Sequence, residues 1–294
     1  MTCSPASSFC DWLDVTFAPD DWPYPELNLL FLGAGFIVRR EITGGSTYVP
    51  PGGYGAIKFV QSKLYAKVSI SGSSCGVLRD LGLWGEVLSI LSSSPHKVTR
   101  IDAALDLPTD AAPFIAHLRR KYPEGMVNLG RKALPVKVML EVRPDGLESG
   151  TYYVGHRTAA RRTCRVYDKA LEMLSKRGCK LPPTTRVEVT AKKDAGATLR
   201  DAYMPDALFW DIASPAILKA PEGVPMWVPD TEMGFPSPNH PFNPADVLQR
   251  RIETSAEIEA LIAVADSMGE SGRQYMIHLF TRRVRAPGSS QDVA

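Results

Sequence analysis

The segment Arg162-Thr-Cys-Arg-Val-Tyr-Asp-Lys169 sets a tyrosine between cations, with Arg165 two residues before Tyr167 and Lys169 two residues after it. In an extended strand these three side chains share one face, because successive residues point to opposite sides. A phenol among positive charges suits attack on an anionic ester. The same charges would favour the phenolate, whose ordinary pKa is about 10. Two further segments carry charge where a plain core strand would not. In Val98-Thr-Arg-Ile-Asp-Ala-Ala-Leu-Asp-Leu107, Arg100, Asp102, Ala104 and Asp106 share one face, and Ile101, Ala103, Leu105 and Leu107 share the other. In Thr185-Arg-Val-Glu-Val-Thr190, Arg186, Glu188 and Thr190 lie together with Val187 and Val189 behind them.

The carboxylates point to a hard divalent cation, Mg²⁺ or Mn²⁺, held by oxygen ligands. Asp102 and Asp106 stand roughly 13 Å apart on a strand rising ~3.3 Å per residue. Asp102 is therefore the better ligand, and Asp106 belongs nearer the edge. Glu188 on a neighbouring strand could meet Asp102 across the ladder, where opposed Cβ atoms are about 5 Å apart. Two carboxylates that close repel unless a cation or an arginine lies between them. Charged residues on an open antiparallel face are also ordinary solvated positions. The weight rests on three such strands occurring together, one of them carrying a tyrosine.

The surrounding pattern is that of an α+β protein: antiparallel sheets with helices packed on one face, plus a mainly helical C-terminal segment. Strands are expected at Trp12 to Phe17, Tyr54 to Phe59, Leu64 to Ile70, Val98 to Leu107, Val136 to Val142, Thr151 to Arg157, Arg162 to Tyr167 and Thr185 to Ala191. Helices are expected from Cys75 to Leu91, from Asp110 to Tyr122 and from Asp168 to Lys176, the last ended by Gly178. The two longer helices should cover the apolar side of the sheet. Residues 8–200 read as one catalytic domain and 201–243 as a proline-rich packed connector. Residues 244–285 read as a helical segment broken at Gly269 and Gly272, and 286–294 as a loose tail. A duplication of a strand-strand-helix-strand unit is not established by the sequence.

Composition bounds the partners. The 294 residues carry 34 Lys and Arg against 32 Asp and Glu, a formal charge of +2. Nucleic acid must then be met by local clusters and not by the whole surface. Arg157, Arg161 and Arg162 form one such cluster just before Tyr167, and Arg282, Arg283 and Arg285 form another. Tyr152 and Tyr153 could stack on bases, although one of the two must face the core. The five cysteines show no zinc spacing and read as free thiols of a reducing cytosol. The start of the chain has no apolar run of a signal peptide, and no membrane partner is expected.

Taken in order, Thr-Arg-Ile-Asp-Ala-Ala-Leu-Asp106, Thr-Tyr-Tyr-Val-Gly-His-Arg157, Arg-Val-Tyr-Asp-Lys-Ala-Leu-Glu172 and Arg-Val-Glu-Val-Thr190 resemble the replication initiation factor family. That family comprises rolling-circle initiators of filamentous phages and staphylococcal-type plasmids, and relaxases of some integrative elements. Lys67-Val-Ser-Ile-Ser-Gly-Ser-Ser-Cys75 is similar to the family's strand ending in a Ser-Gly turn. The resemblance spans about residues 50 to 195. It implies that Tyr167 is the DNA nucleophile, that Asp102, Glu188 and Asp106 are metal-site residues, and that Arg165, Lys169 and Arg186 stabilise charge. It also implies nicking and religation of one strand of origin DNA, single-stranded or extruded as a hairpin, in a bacterial cytoplasm with host helicase and polymerase, and leaves a homodimer open. The family lacks the paired-histidine metal motif of other rolling-circle nickases, and no His-x-His pair occurs in this sequence. A tyrosine recombinase would need a His-x-x-Arg box, which His278-Leu-Phe-Thr281 does not supply. A non-catalytic DNA-binding protein with a charged sheet face is the other alternative.

Overall fold

The computed structural model describes residues 7–42, 45–127, 129, 134–142, 148–156, 160–192, 195–214, 216–230 and 263–275. The chain forms two compact units, Met1–Phe235 and Pro236–Ala294. Of the second, residues 263–267 and 269–275 are helical. The turn expected at Gly269 is present, with φ 67° at that residue, whereas Gly272 lies inside the helix and does not break it. The remaining expectations for residues 231–262 and 276–294 lie outside the described residues.

The first unit is built on one antiparallel sheet. Its strands are β1 (Phe9–Phe17), β2 (Ile37–Ile42), β3 (Gly45–Val49), β4 (Ile57–Gln61), β5 (Ala66–Ile70), β6 (His96–Leu107), β7 (Val136–Val142), β8 (Glu148–Val154), β9 (Arg162–Asp168) and β10 (Thr185–Lys192). Across the sheet the order is β2-β3-β4-β5-β1-β6-β10-β9-β8-β7. The helices are α1 (Tyr24–Gly33), α2 (Gly72–Asp80), α3 (Trp84–Ser92), α4 (Ala111–Lys121), α5 (Lys169–Arg177), α6 (Leu199–Tyr203) and α7 (Asp206–Ala213).

The order reveals a repeat larger than the sequence suggested. Counting outward from the centre, one half runs β1, β5, β4, β3, β2 and the other runs β6, β10, β9, β8, β7. In each half a helix follows the innermost strand, and a meander then returns from the edge to pair with that strand. The second half differs by the insertion of α5 between β9 and β10.

The strand patterns show why one face is covered. Leu13, Val15 and Phe17 of β1, Ile101, Ala103 and Leu105 of β6, and Val187 and Val189 of β10 are buried in one apolar core. That core also takes Ile115 and Leu118 of α4 and Leu208, Phe209 and Ile212 of α7. Each fully buried aliphatic or aromatic side chain contributes roughly 1.5–3 kcal/mol, so this face holds the fold together and leaves the polar face free for chemistry.

Three elements depart from the sequence reading. The helix expected from Cys75 to Leu91 is two helices, because Gly82 takes φ 71° between them. The connector expected from residue 201 contains α6 and α7. Thr198 and Asp201 cap α6 reciprocally, and Asp206 accepts bonds from Ser8 N at 2.7 Å and Ser8 Oγ at 2.6 Å. Both helices pack on the central strands, so the proline-rich composition hid part of the core. The third departure is α1 with the β2–β3 hairpin, for which no element was expected.

Candidate active site

Strand register builds the site row by row, since directly opposed residues of an antiparallel pair share a face. One row runs Thr151, Tyr167, Arg186, Asp106 across β8, β9, β10 and β6. The next runs Tyr153, Arg165, Glu188, Ala104. A third runs Thr163, Thr190, Asp102, Trp12, reaching β1. Tyr167, Glu188 and Asp102 therefore occupy one face, as the alternation of each strand required. Glu188, however, stands opposite Ala104 and not opposite Asp102. The two acids are offset by one row.

Arginines occupy the space between these acids. Arg100 donates from Nε to Asp102 at 2.9 Å and forms an ion pair with it through its second nitrogen. Arg165 pairs with Glu188. Arg186 grips Asp106 with two bonds of 2.6 and 2.7 Å and reaches Asp11 at 3.1 Å. Glu188 and Asp102 are each only 1% exposed, so these pairs are close to dry at the carboxylate end. Burial raises the Glu188 carboxyl to about 7, with Asp102 and Asp11 pushing the same way and Arg165 opposing them.

Asp11 is the site residue that sequence reading missed. Plain alternation from Leu13 puts Asp11 on the apolar side. A β-bulge between Cys10 and Trp12 breaks that alternation and turns the carboxylate toward Arg186. Gly72, the first residue of α2, makes room for it: a Cβ there would lie 2.5 Å from the Asp11 carbonyl oxygen and 2.8 Å from its carboxylate. Gly72→Ala is accordingly expected to shift Asp11 and loosen Arg186. Its signature would be a melting temperature lowered by a few degrees, for a loss on the order of 1–3 kcal/mol. An unchanged melting temperature would show that α2 yields instead.

Tyr167 is 7% exposed and carries the Arg165 guanidinium 4.9 Å from its ring centre. The cations do favour its phenolate, but they are outweighed. Burial dominates and holds the phenol well above its ordinary value; Glu188 adds to this, and Arg165 and Arg186 only partly offset it. The ring lines a cleft of about 290 Å³ between β8–β9 and α5, together with Thr151, Tyr153, Arg165, Glu172 and Lys176. Asp168 caps α5 by accepting from Leu171 N at 2.8 Å, and Gly178 ends it in the left-handed region at φ 64°. Lys169 opens this helix and is tied to Glu172 at 2.7 Å.

The other expected residues are distributed unevenly. Arg162 points to the helix-covered side, where it pairs with Asp211 of α7 at 2.8 Å and lies over Trp227. It does not join the tyrosine's face. Arg161 is exposed beside the end of β10, and Arg157 lies outside the described residues. Tyr152 is fully buried in the core, while Tyr153 faces the cleft. Among the described residues no helix is long and apolar enough to cross a membrane.

The carboxylates do not fit a divalent cation as they stand. Each candidate ligand already holds a guanidinium, and Asp106 lies in a different row from Asp102. Among the described residues no three acidic, histidine or cysteine side chains converge as a metal group.

No known protein family's profile matches the chain, and no curated protein matches it. Nine chains of solved structures are similar in outline. One of them is a rolling circle replication initiator protein from Geobacillus stearothermophilus, 20% identical, covering 64% of this chain and 75% of that one with a TM-score of 0.48. The rows of charged residues, and not this likeness, bear the functional reading that follows.

Proposed function

We propose that this protein cleaves and rejoins one DNA strand through a covalent bond to Tyr167, as expected of a replication initiation factor. The observation that carries the reading is the placement of Tyr167 between Arg165 and Arg186 on a charged sheet face, lining a cleft. The Tyr167 oxygen attacks phosphorus, the P–O3′ bond breaks, and the 5′ phosphate becomes a tyrosyl ester. The phenol loses a proton and the departing 3′ oxygen gains one, so the step is balanced. The ester conserves bond energy, and the same site can rejoin the ends. Arg165 and Arg186 would hold the non-bridging oxygens as charge develops. Asp11, Asp106 and Glu188 keep those two guanidiniums in place. Lys169 adds charge at the start of α5. The freed 3′ hydroxyl would then prime synthesis by a host polymerase behind a host helicase that unwinds the duplex.

The decisive experiment incubates the protein with labelled single-stranded oligonucleotides, including extruded-hairpin sequences, and looks for an adduct that survives SDS. Binding without any adduct would favour the non-catalytic reading, to which the buried, neutral phenol also lends itself.

A Mg²⁺ or Mn²⁺ requirement at Asp102 and Glu188 is a separate proposal. It demands that Arg100 and Arg165, with side chains 36% and 35% exposed, swing away from their acids. Calorimetric titration with Mn²⁺ should then show one site, weakened at least about tenfold in Asp102→Asn and in Glu188→Gln. Adduct formation should be lost in EDTA. Undiminished nicking in EDTA, with no Mn²⁺ heat, would leave these acids as arginine partners alone.

A further inference from the structure

The two halves of the sheet place corresponding residues in corresponding positions, and their chemistry differs. In the second half Asp102 lies opposite Thr190, and Glu188 precedes that threonine by two residues. In the first half Asp14 lies opposite Ser69, and Lys67 precedes that serine by two residues. Lys67 thus stands where the other half has Glu188. One strand further out, Lys67 faces Val60 where Glu188 faces Arg165. Two residues beyond Val60 is Ser62, and two beyond Arg165 is Tyr167. The first half keeps the frame, lacks the nucleophile and exchanges an acid for a base.

Two charged rows cross the centre of the sheet, with Lys58 and Lys67 on the first half and Arg100, Lys97 and Lys192 on the second. One row across the centre runs Lys58, Ser69, Asp14, Arg100, Lys192. The next runs Val60, Lys67, Thr16, Lys97. Asp14 is the one carboxylate in these two rows; it takes Lys67 at 2.6 Å and the Trp12 indole at 2.7 Å, while Arg100 leans back to Asp102. Lys58 is exposed, and Lys67, Lys97, Arg100 and Lys192 are partly so. The tyrosine's own row, by contrast, sets Arg186 against both Asp106 and Asp11. In a protein with a formal charge of only +2, exposed Lys58 and partly exposed Lys67, side by side on the tyrosine's face of the first half, suit a polyanion.

We infer that the β1–β5 half is a binding half, in which Lys58 and Lys67 hold phosphates of the single DNA strand flanking the bond that Tyr167 attacks. The inference rests on the strand-transfer reading for the identity of the ligand and on the register for its position. From β9 to β5 is four strand spacings, about 19 Å at ~4.8 Å each. The strand must therefore extend several nucleotides from the scissile phosphate to reach Lys67.

Fluorescence anisotropy in the Tyr167→Phe background tests this without cleavage. Two probes are used, single strands of about 6 and about 20 nucleotides, the longer extended in turn on each side of the cleavage position. Lys58→Gln with Lys67→Gln should weaken the longer probe at least about fivefold on one of the two sides. It should also flatten the dependence of log affinity on log salt by about 1.4, the value for two single-strand phosphate contacts at ~0.7 each. The shorter probe should be unaffected. Arg119→Gln with Arg120→Gln, on the exposed side of α4, should change neither. Lys58→Gln alone, at an exposed position, gives half the salt effect and guards against a folding defect at Lys67. Unchanged affinity and slope for the longer probe on both sides would overturn the binding half. If the lysine effect is present but wild type forms no adduct, the surface stands and the strand-transfer reading falls. If wild type binds neither probe, both fall.

Discussion

Replacing Tyr167 by Phe is expected to abolish the covalent protein–DNA adduct, a loss of at least about 10⁴-fold, because no other group inherits the bond to phosphorus. The fold should be untouched. Phe keeps the ring in its buried position and keeps the Arg165 guanidinium 4.9 Å above it. Stability should change by no more than about 0.5 kcal/mol. Affinity for a single strand should also be preserved, since the arginines and lysines remain. Adduct formation at the wild-type rate by this variant would remove Tyr167 from the mechanism. Tyr153, which lines the same cleft, would then be the first alternative, and peptide mapping of the adduct would identify it.

The second large effect concerns Arg186, whose side chain is 9% exposed and bonded to two carboxylates. Arg186→Ala leaves Asp11 and Asp106 facing each other without their cation. Breaking a buried ion pair on one side costs about 3–5 kcal/mol, and the 35% exposure of Asp106 lowers the figure here to about 2–4 kcal/mol. In a unit of this size the melting temperature should fall by about 5–10 °C. Nicking should fall about 10²–10³-fold beyond what unfolding explains, as when one charge-stabilising donor is removed from a transition state. Arg186→Lys separates the two effects. It retains a charge for Asp11 and Asp106 but lacks the planar fork that holds Asp106 at two points, so stability should be partly restored while nicking stays low. A lysine variant that nicks like wild type would assign Arg186 a purely structural part.

The period-two alternation of β6, β9 and β10 was legible in the sequence because it is local: any extended segment sends Arg100, Asp102 and Asp106 one way and Ile101 and Leu105 the other. That was enough to identify the charged face, to set Tyr167 on it and to expect helices behind it. Asp168 and Gly178 marked the ends of α5 for the same reason, since caps act within a few residues.

What lay beyond the sequence depends on which strand lies beside which and in what register. The offset of Glu188 from Asp102 is decided by the pairing of β10 with β6. The turning of Asp11 into the site comes from a single extra residue in β1, and nothing in Phe-Cys-Asp-Trp-Leu announces it. Arg162 reads as part of a basic cluster, and alternation along β9 alone sets it on the face opposite Arg165 and Tyr167; only the packing of α7 reveals Asp211 as its partner. The net direction of the tyrosine's pKa was out of reach for a related reason. Charges can be counted along a chain, whereas burial, the larger influence on a phenol, exists only once β8, β9 and α5 have closed around it. The correspondence of the two half-sheets is likewise a property of the assembled order of strands, because Lys67 and Glu188 share a place in the fold and no likeness in their side chains.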